Sequence, residues 1–188
     1  MLKSTAMAAV RRRTLMNAEE IERAIARMAH QMVEPEEAQG GLILIGIRRG
    51  GESLARRLAT KVGEISGAEP GLGFLNINLY RDDDVTHELP ESDIRHDVRG
   101  RTVVIVDDVL YTGRTVRSAL DAVTDLGRPK AIRLAVLIDR GQRELPIQPD
   151  YVGRVIPTSR RERIDVTLAA QPSPSDDVSV ADWEHAPA

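Results

Sequence analysis

The chain has 188 residues and a mass of 20.7 kDa; 41% are hydrophobic, enough for one domain with a real core. Cysteine is absent, which excludes disulfides, thiolate metal sites and a cysteine nucleophile, while 3% aromatics argues against recognising single-stranded nucleic acid by base stacking. The formal net charge of −3 is segregated: residues 82–97 carry −6 and residues 171–188 carry −4, so the remainder stands at +7 and can present a basic surface.

Residues 1–15 read as a loose basic arm with no signal-peptide core. No apolar run approaches the roughly 20 residues that span a membrane, and the expectation is a cytoplasmic protein. Asn17 and Glu20 form a capping-box pattern ahead of Ile21, Ile25, Met28 and Met32, which predicts an amphipathic helix. Leu42–Ile47 is a short continuous apolar run ending in glycines, the pattern of a buried parallel strand. Leu54, Leu58, Val62 and Ile65 predict a second helix stopped near Gly67. Leu72–Tyr80 alternates as a half-covered strand. Residues 82–98 have no clean period and read as a long loop or flexible hairpin, a candidate lid. Val103–Val106 is a buried strand, and Val116, Leu120, Val123 and Leu126 give a helix closed by Gly127 and Pro129. Ile132–Ile138 is a fourth strand, with short β-rich segments at Tyr151–Pro157 and Ile164–Leu168. The segment from Gln171, rich in Pro, Ser and Asp, reads as a disordered acidic tail. One domain over residues 16–170 is therefore expected: an α/β fold with a mostly parallel central sheet flanked by helices. Its ligand should lie beyond the carboxyl ends of the strands, at Arg48–Ser53, Asp107–Thr115 and from Asp139 onward.

The chemistry concentrates in VVIVDDVLYTGRTV, Val103–Val116. A buried strand runs into the adjacent carboxylates Asp107 and Asp108, and Thr112-Gly113-Arg114-Thr115 then opens a helix. A helix N-terminus offers unpaired amides and partial positive charge to a phosphate, and glycine lets the backbone close around it. Thr112 and Thr115 can add hydroxyl donors, while paired carboxylates can accept from a sugar diol. A lone Asp-Asp pair is better explained by a plain βα turn with acids as helix caps. The whole string instead suits a ribose 5-phosphate.

VVIVDDVLYTGRT resembles the phosphoribosyl pyrophosphate signature of the type I phosphoribosyltransferases. INLYRDD (77–83), DLGRPKAIRLAVLIDRGQRELPI (125–147), DYVGRVIPTSRRE (150–162) and ERAIARMAHQMVE (22–34) resemble PyrR, the family of pyrimidine-operon regulators and uracil phosphoribosyltransferases. The likeness covers roughly residues 16–170. It implies the type I phosphoribosyltransferase fold and two activities. One is conversion of uracil and phosphoribosyl pyrophosphate to UMP and pyrophosphate. The other is UMP-dependent binding of pyrimidine-operon leader mRNA.

By that resemblance Asp107 and Asp108 face the ribose hydroxyls. The run Asp107, Asp108, Val109, Leu110, Tyr111, Thr112, Gly113, Arg114 and Thr115 holds the sugar phosphate. Arg48, Arg49, Gly50 and Gly51 hold pyrophosphate, with Arg81 reaching it as a catalytic group. Asp139, Arg140, Gly141 and Gln142 form the uracil slot. Mg²⁺ is carried chiefly by substrate oxygens, with no dedicated protein site. Arg27, His30, Arg143 and Arg154 match the RNA surface, Arg23, Arg27 and His30 sharing one helix face. The family usually forms homodimers or higher assemblies. Departures from its pattern are Gln142 for His, Gln148 for Arg, Arg154-Val155 for Lys-Asn, and Arg49-Gly50-Gly51 for Thr-Arg-Gly. Lost cations should weaken RNA binding and its salt dependence. An enzyme with eroded RNA binding, a UMP-sensing regulator with little catalysis, and a transferase for another base are the alternatives.

Overall fold

The computed structural model describes residues 12–34, 41–77 and 91–182. Strand β1 (Arg12–Asn17) leads into helix α1 (Ala18–Val33). The helix starts at a complete capping box: Asn17 Oδ1 accepts from the Glu20 amide at 2.9 Å, and Glu20 Oε2 accepts from the Asn17 amide at 3.0 Å. Ile21, Ile25, Met28 and Met32 are all buried on one face, each worth roughly 1.5–3 kcal/mol relative to exposure. Strand β2 (Leu42–Ile47) is buried at every residue, as a strand covered on both faces must be. Helix α2 (Gly51–Ser66) ends at Gly67 in the left-handed region, φ 75°. Strands β3 (Gly71–Leu75) and β4 (Thr102–Leu110), helix α3 (Arg114–Leu126) and strands β5 (Ala131–Asp139), β6 (Tyr151–Val155), β7 (Glu162–Thr167) and β8 (Asp177–Asp182) follow.

Five strands form one parallel sheet in the order β3-β2-β4-β5-β6. Leu44, Val104, Val106 and Leu137 face the core beneath α1 and α2. Ile43, Ile45, Val103, Ile105 and Val136 face the core beneath α3. The chain leaves β2 toward β3 on one side, and leaves β4 toward β5 on the other. The crevice between the carboxyl ends of β2 and β4 is therefore the switch point where such sheets bind ligands.

The structure departs from the sequence expectation at both ends. Residues 12–15 are strand rather than loose arm, and the expected acidic tail supplies β8, the middle strand of an antiparallel sheet β1-β8-β7. Val178, Ser179 and Val180 are buried there. Composition hid this because the strand takes its stability from residues far away in sequence: Arg12 pairs opposite Ala181, and Asn17 opposite Asp177. Arg12 Nε also donates to Ser179 Oγ at 2.6 Å.

Arg57 of α2 joins this sheet to both helices. Its guanidinium donates to Asp176 Oδ2 at 2.5 Å and to the Glu22 carboxylate of α1. The amides of Ala169 and Ser173 also donate to the Asp176 carboxylate. Burial would raise the Asp176 pKa, but the Ala169 amide, Arg57 and the Ser173 amide together outweigh it and hold the group below the ordinary carboxylate range.

β3 stops at Leu75, and residues 78–90, including most of the expected lid, lie outside the described residues. Where the described chain resumes at residue 91 it runs antiparallel beside β3: Phe74 and Asp93 exchange two backbone hydrogen bonds of 2.9 and 2.8 Å. No helix among the described residues is long and apolar enough to cross a membrane.

Candidate active site

β4 runs four residues past Val106, carrying Asp107 and Asp108 beyond the end of its pairing with β2 while it stays paired with β5 as far as Leu110. Asp107 is buried and Asp108 half-buried. Burial raises the Asp107 pKa well above the carboxylate norm, and the neighbouring Asp108 charge raises it further. Burial also raises Asp108, against the opposing pull of the Val109 amide, which donates to Asp108 Oδ1 at 2.7 Å. The pair thus holds a proton more tightly than ordinary carboxylates.

The loop after β2 lies directly against this pair. A Cβ on Gly50 would stand 2.5 Å from the Asp108 carboxyl carbon, and one on Gly51 only 2.1 Å from the Val106 carbonyl oxygen. Only glycine lets α2 begin this close to β4, and Gly50 and Gly51 therefore bring amides to the crevice. The two arginines differ. Arg48 Nε donates to the Glu91 carbonyl at 3.0 Å and Nη1 to Glu52 at 2.9 Å, so its charge is engaged. Arg49 is exposed, with no hydrogen bond or ion pair among the described residues, and is the freer cation for a phosphate.

On the other side, Gly113 caps α3 with φ +94° and has no side chain to bond the amides of the first turn. Thr112 Oγ1 accepts from the Arg114 amide at 3.4 Å. Thr115 lies half-buried in the first turn. Arg114 turns away to pair with Glu144 at 2.8 Å. The Leu110 side chain is buried in the core, so only its backbone and that of Val109 serve the loop.

The expected uracil slot is assembled differently from its sequence reading. Asp139 and Gly141 stand beside the phosphate loop, and Gln142 adopts a left-handed conformation, φ 60°. Arg140 points away. Its Nε donates to Thr158 Oγ1 at 2.8 Å and its Nη2 to the carbonyls of Ser159 and Glu162, while the guanidinium covers the Tyr111 ring at 4.2 Å. Burial lowers its pKa, with Tyr111 and Glu162 opposing. Arg140 is thus a pin between Tyr111 and the loop before β7 rather than a wall of the slot. Thr158 and Glu144 are participants that sequence reasoning missed. Spacing carries no signal for them, because each acts through an arginine 18 or 30 residues away.

The four residues matched to an RNA surface separate. Arg27 on α1 donates to the carbonyls of Val152 and Gly153 on β6, Arg154 bonds the Leu15 carbonyl and Glu20, and His30 is exposed one turn beyond Arg27. These three flank one seam between α1 and β6. Arg143 does not join them. Its guanidinium is directed inward to Asp139 and three carbonyls, because a half-buried fork must satisfy its donors. Arg81, expected to be catalytic, lies outside the described residues.

Paired acids and a glycine-capped helix N-terminus at the switch point of a parallel sheet suit a sugar phosphate, and the comparison with known proteins gives the class. Residues 12–171 match the phosphoribosyl transferase domain, so this chain is a phosphoribosyltransferase. It is 51% identical over 158 residues to the bifunctional protein PyrR of Pelotomaculum thermopropionicum, covering 82% of this chain and 87% of that protein. It is 50% identical over 168 residues to its namesake in Bacillus mycoides, covering 86% and 93%. The chain belongs to the PyrR family. Among solved structures, a hypoxanthine phosphoribosyl transferase of Trypanosoma cruzi superposes with a TM-score of 0.69 at 21% identity, covering 96% of this chain and 94% of that one. A hypoxanthine-guanine phosphoribosyltransferase of Bacillus anthracis gives 0.67 at 20%, covering 94% and 99%. At such identities they share the fold.

Proposed function

We propose that this chain converts uracil and phosphoribosyl pyrophosphate to UMP and pyrophosphate, and that UMP strengthens its binding to pyrimidine-operon leader mRNA. The observation that carries the reading is the Asp107–Asp108 pair at the β2/β4 switch point, followed within one loop by the glycine-capped N-terminus of α3. Asp107 and Asp108 accept from the ribose hydroxyls. The amides from Gly113 to Thr115 hold the 5-phosphate with the Thr112 and Thr115 hydroxyls, and Arg49 with the Gly50–Gly51 amides holds pyrophosphate. Uracil N1 attacks the anomeric carbon as its bond to the pyrophosphate oxygen breaks, and the N1 proton is released. The sugar is electron-poor in the transition state, so fixed carboxylates beside it stabilise developing positive charge.

Two adjacent carboxylates are a donor set suited to a magnesium ion held mainly by substrate oxygens and water. Asp107 and Asp108 would help hold such an ion, which would supply charge neutralisation for the departing pyrophosphate. The reading places the protein in the cytoplasm as a homodimer or larger assembly.

Radiolabelled uracil, phosphoribosyl pyrophosphate and Mg²⁺ should yield labelled UMP, with hypoxanthine and orotate neither reacting nor competing. Failure to form UMP, or turnover of a purine, overturns the catalytic half. A gel-shift titration with the leader RNA, with and without UMP at two salt concentrations, tests the other half. One observation favours a second reading, an enzyme with weakened RNA binding: Arg143 is engaged within the protein, at a surface already altered at Gln142 and Gln148. UMP formation with no shift beyond a control RNA would select it.

A further inference from the structure

The loop joining β5 to β6 is folded around a single guanidinium. Arg143 Nε donates to the Ile147 carbonyl at 2.9 Å, and Nη1 to the carbonyls of Tyr111 and Gly141 at 3.0 and 3.2 Å. Nη2 meets Asp139 Oδ2 at 2.6 Å. These acceptors come from three places: the end of β5, the head of the phosphate loop, and the far arm of the β5–β6 loop. The backbone reinforces the same junction, since the amides of Glu144 and Leu145 both donate to the Thr112 carbonyl, at 3.0 and 3.2 Å. Leu145 and Ile147 also pack over Gly113.

Local conformation shows that something must hold this junction. Gly141 and Gln142 are successive left-handed residues, φ 75° and 60°. A non-glycine residue persists there only when its surroundings over-determine it. Arg143 follows immediately and bonds the Gly141 carbonyl, while Asp139 Oδ1 accepts from the Gly141 amide at 3.0 Å. Three of the four acceptors are backbone carbonyls of the loops after β4 and β5, and the fourth is the carboxylate of Asp139 at the last position of β5, so removing the guanidinium should loosen the site more than the fold.

We propose that Arg143 is a positioning residue that fastens the base slot, Asp139–Gln142, to the phosphate loop, Tyr111–Thr115, so that ordering at one end arranges the other. This rests on the functional reading above for the identity of the two ligands. A lysine cannot reproduce the fork, because an ammonium is a point donor that reaches only part of this acceptor set.

The test compares the full chain with Arg143→Gln and Arg143→Lys. In Arg143→Gln the Glu144 and Leu145 amides should exchange hydrogen at least tenfold faster, with thermal stability within a few degrees of the parent. The KM for uracil and for phosphoribosyl pyrophosphate should each rise about tenfold or more, as expected for a lost charge-assisted bond. The kcat should fall by less, and Arg143→Lys should recover part of both KM values. Unchanged exchange, unchanged KM values, or a lysine variant no better than glutamine would overturn the proposal. So would a leader-RNA salt slope reduced by about one unit with normal kinetics, since that marks a phosphate contact. A parent chain that forms no UMP overturns the functional reading alone, and the exchange rates then decide whether Arg143 joins the two loops.

Discussion

Replacing Arg57 with methionine isolates the junction between the two sheets. The Arg57 side chain is 3% exposed and its Asp176 partner 1%, so the variant leaves a carboxylate buried without its cation. Glu22 is 34% exposed and can rehydrate. The loss therefore falls mainly on Asp176, and breaking a buried pair from one side costs about 3–5 kcal/mol. Part is returned, because Arg57 Nε is buried without a hydrogen-bond partner among the described residues and methionine removes that unsatisfied donor. For a domain of this size about 3 kcal/mol lowers Tm by roughly 6–12 °C. The penalty should also depend on pH with a definite sign. In the parent the Asp176 pKa lies below its ordinary 3.8, so its contribution is present above that value and is lost as pH falls through the depressed one. In Arg57→Met only burial and two amides remain, the carboxyl takes a proton more readily, and protonation relieves the cost. Urea unfolding of both proteins from pH 7 down to pH 4 should show the stability gap narrowing. Adding Asp176→Asn should recover most of the loss at pH 7. A gap under about 1 kcal/mol at pH 7, or one independent of pH, would refute this account of the network.

Asp107→Asn should lower kcat in UMP formation by about a hundredfold or more, the scale for removing a fixed charge from a transition state, while Tm holds or rises because a buried carboxylate beside another is relieved; full turnover would remove Asp107 from the ribose contact. The acid limb of kcat/KM should lie above the ordinary carboxylate range, since burial and the Asp108 charge both raise Asp107; Asp108→Asn removes the second cause and should move the residual limb to lower pH, and an unmoved limb would break the link. Gly50→Ala should raise the KM for phosphoribosyl pyrophosphate more than tenfold with little change in Tm, because its φ of −68° suits alanine and only the Asp108 carboxyl, 2.5 Å from the new Cβ, objects. A normal KM would show that the loop yields freely.

The sheet and its switch point were legible because each central strand is a short apolar run bounded by glycine or acid, as in Leu42–Ile47 and Val103–Val106, and α3 declares itself by spacing. The paired acids were legible as chemistry because they interrupt such a run. What sequence could not supply was the direction of a side chain. Arg140 and Arg143 are equal as letters, yet one pins Tyr111 to the loop before β7 and the other closes the base loop. Both outcomes depend on carbonyls whose positions exist only after folding. The second sheet was illegible for a related reason: DVSVAD is short and polar for a strand, and one of its two partners, β1, lies some 165 residues upstream.

That separation has a consequence for synthesis. Among the described residues β1 pairs with β8 alone, so in a growing chain Arg12–Asn17 lacks that ladder partner until residues 177–182 have been made. At about 5–20 residues per second the wait is roughly ten to thirty seconds, long beside the microseconds in which a strand could find a wrong neighbour. Arg12 and Arg13 place two positive charges on that unpaired edge, the kind of guard that discourages pairing with another nascent chain. The basic start of the chain thus protects a strand through its own biosynthesis, and Arg12 is afterwards absorbed by Ser179 and Asp177 when the partner arrives.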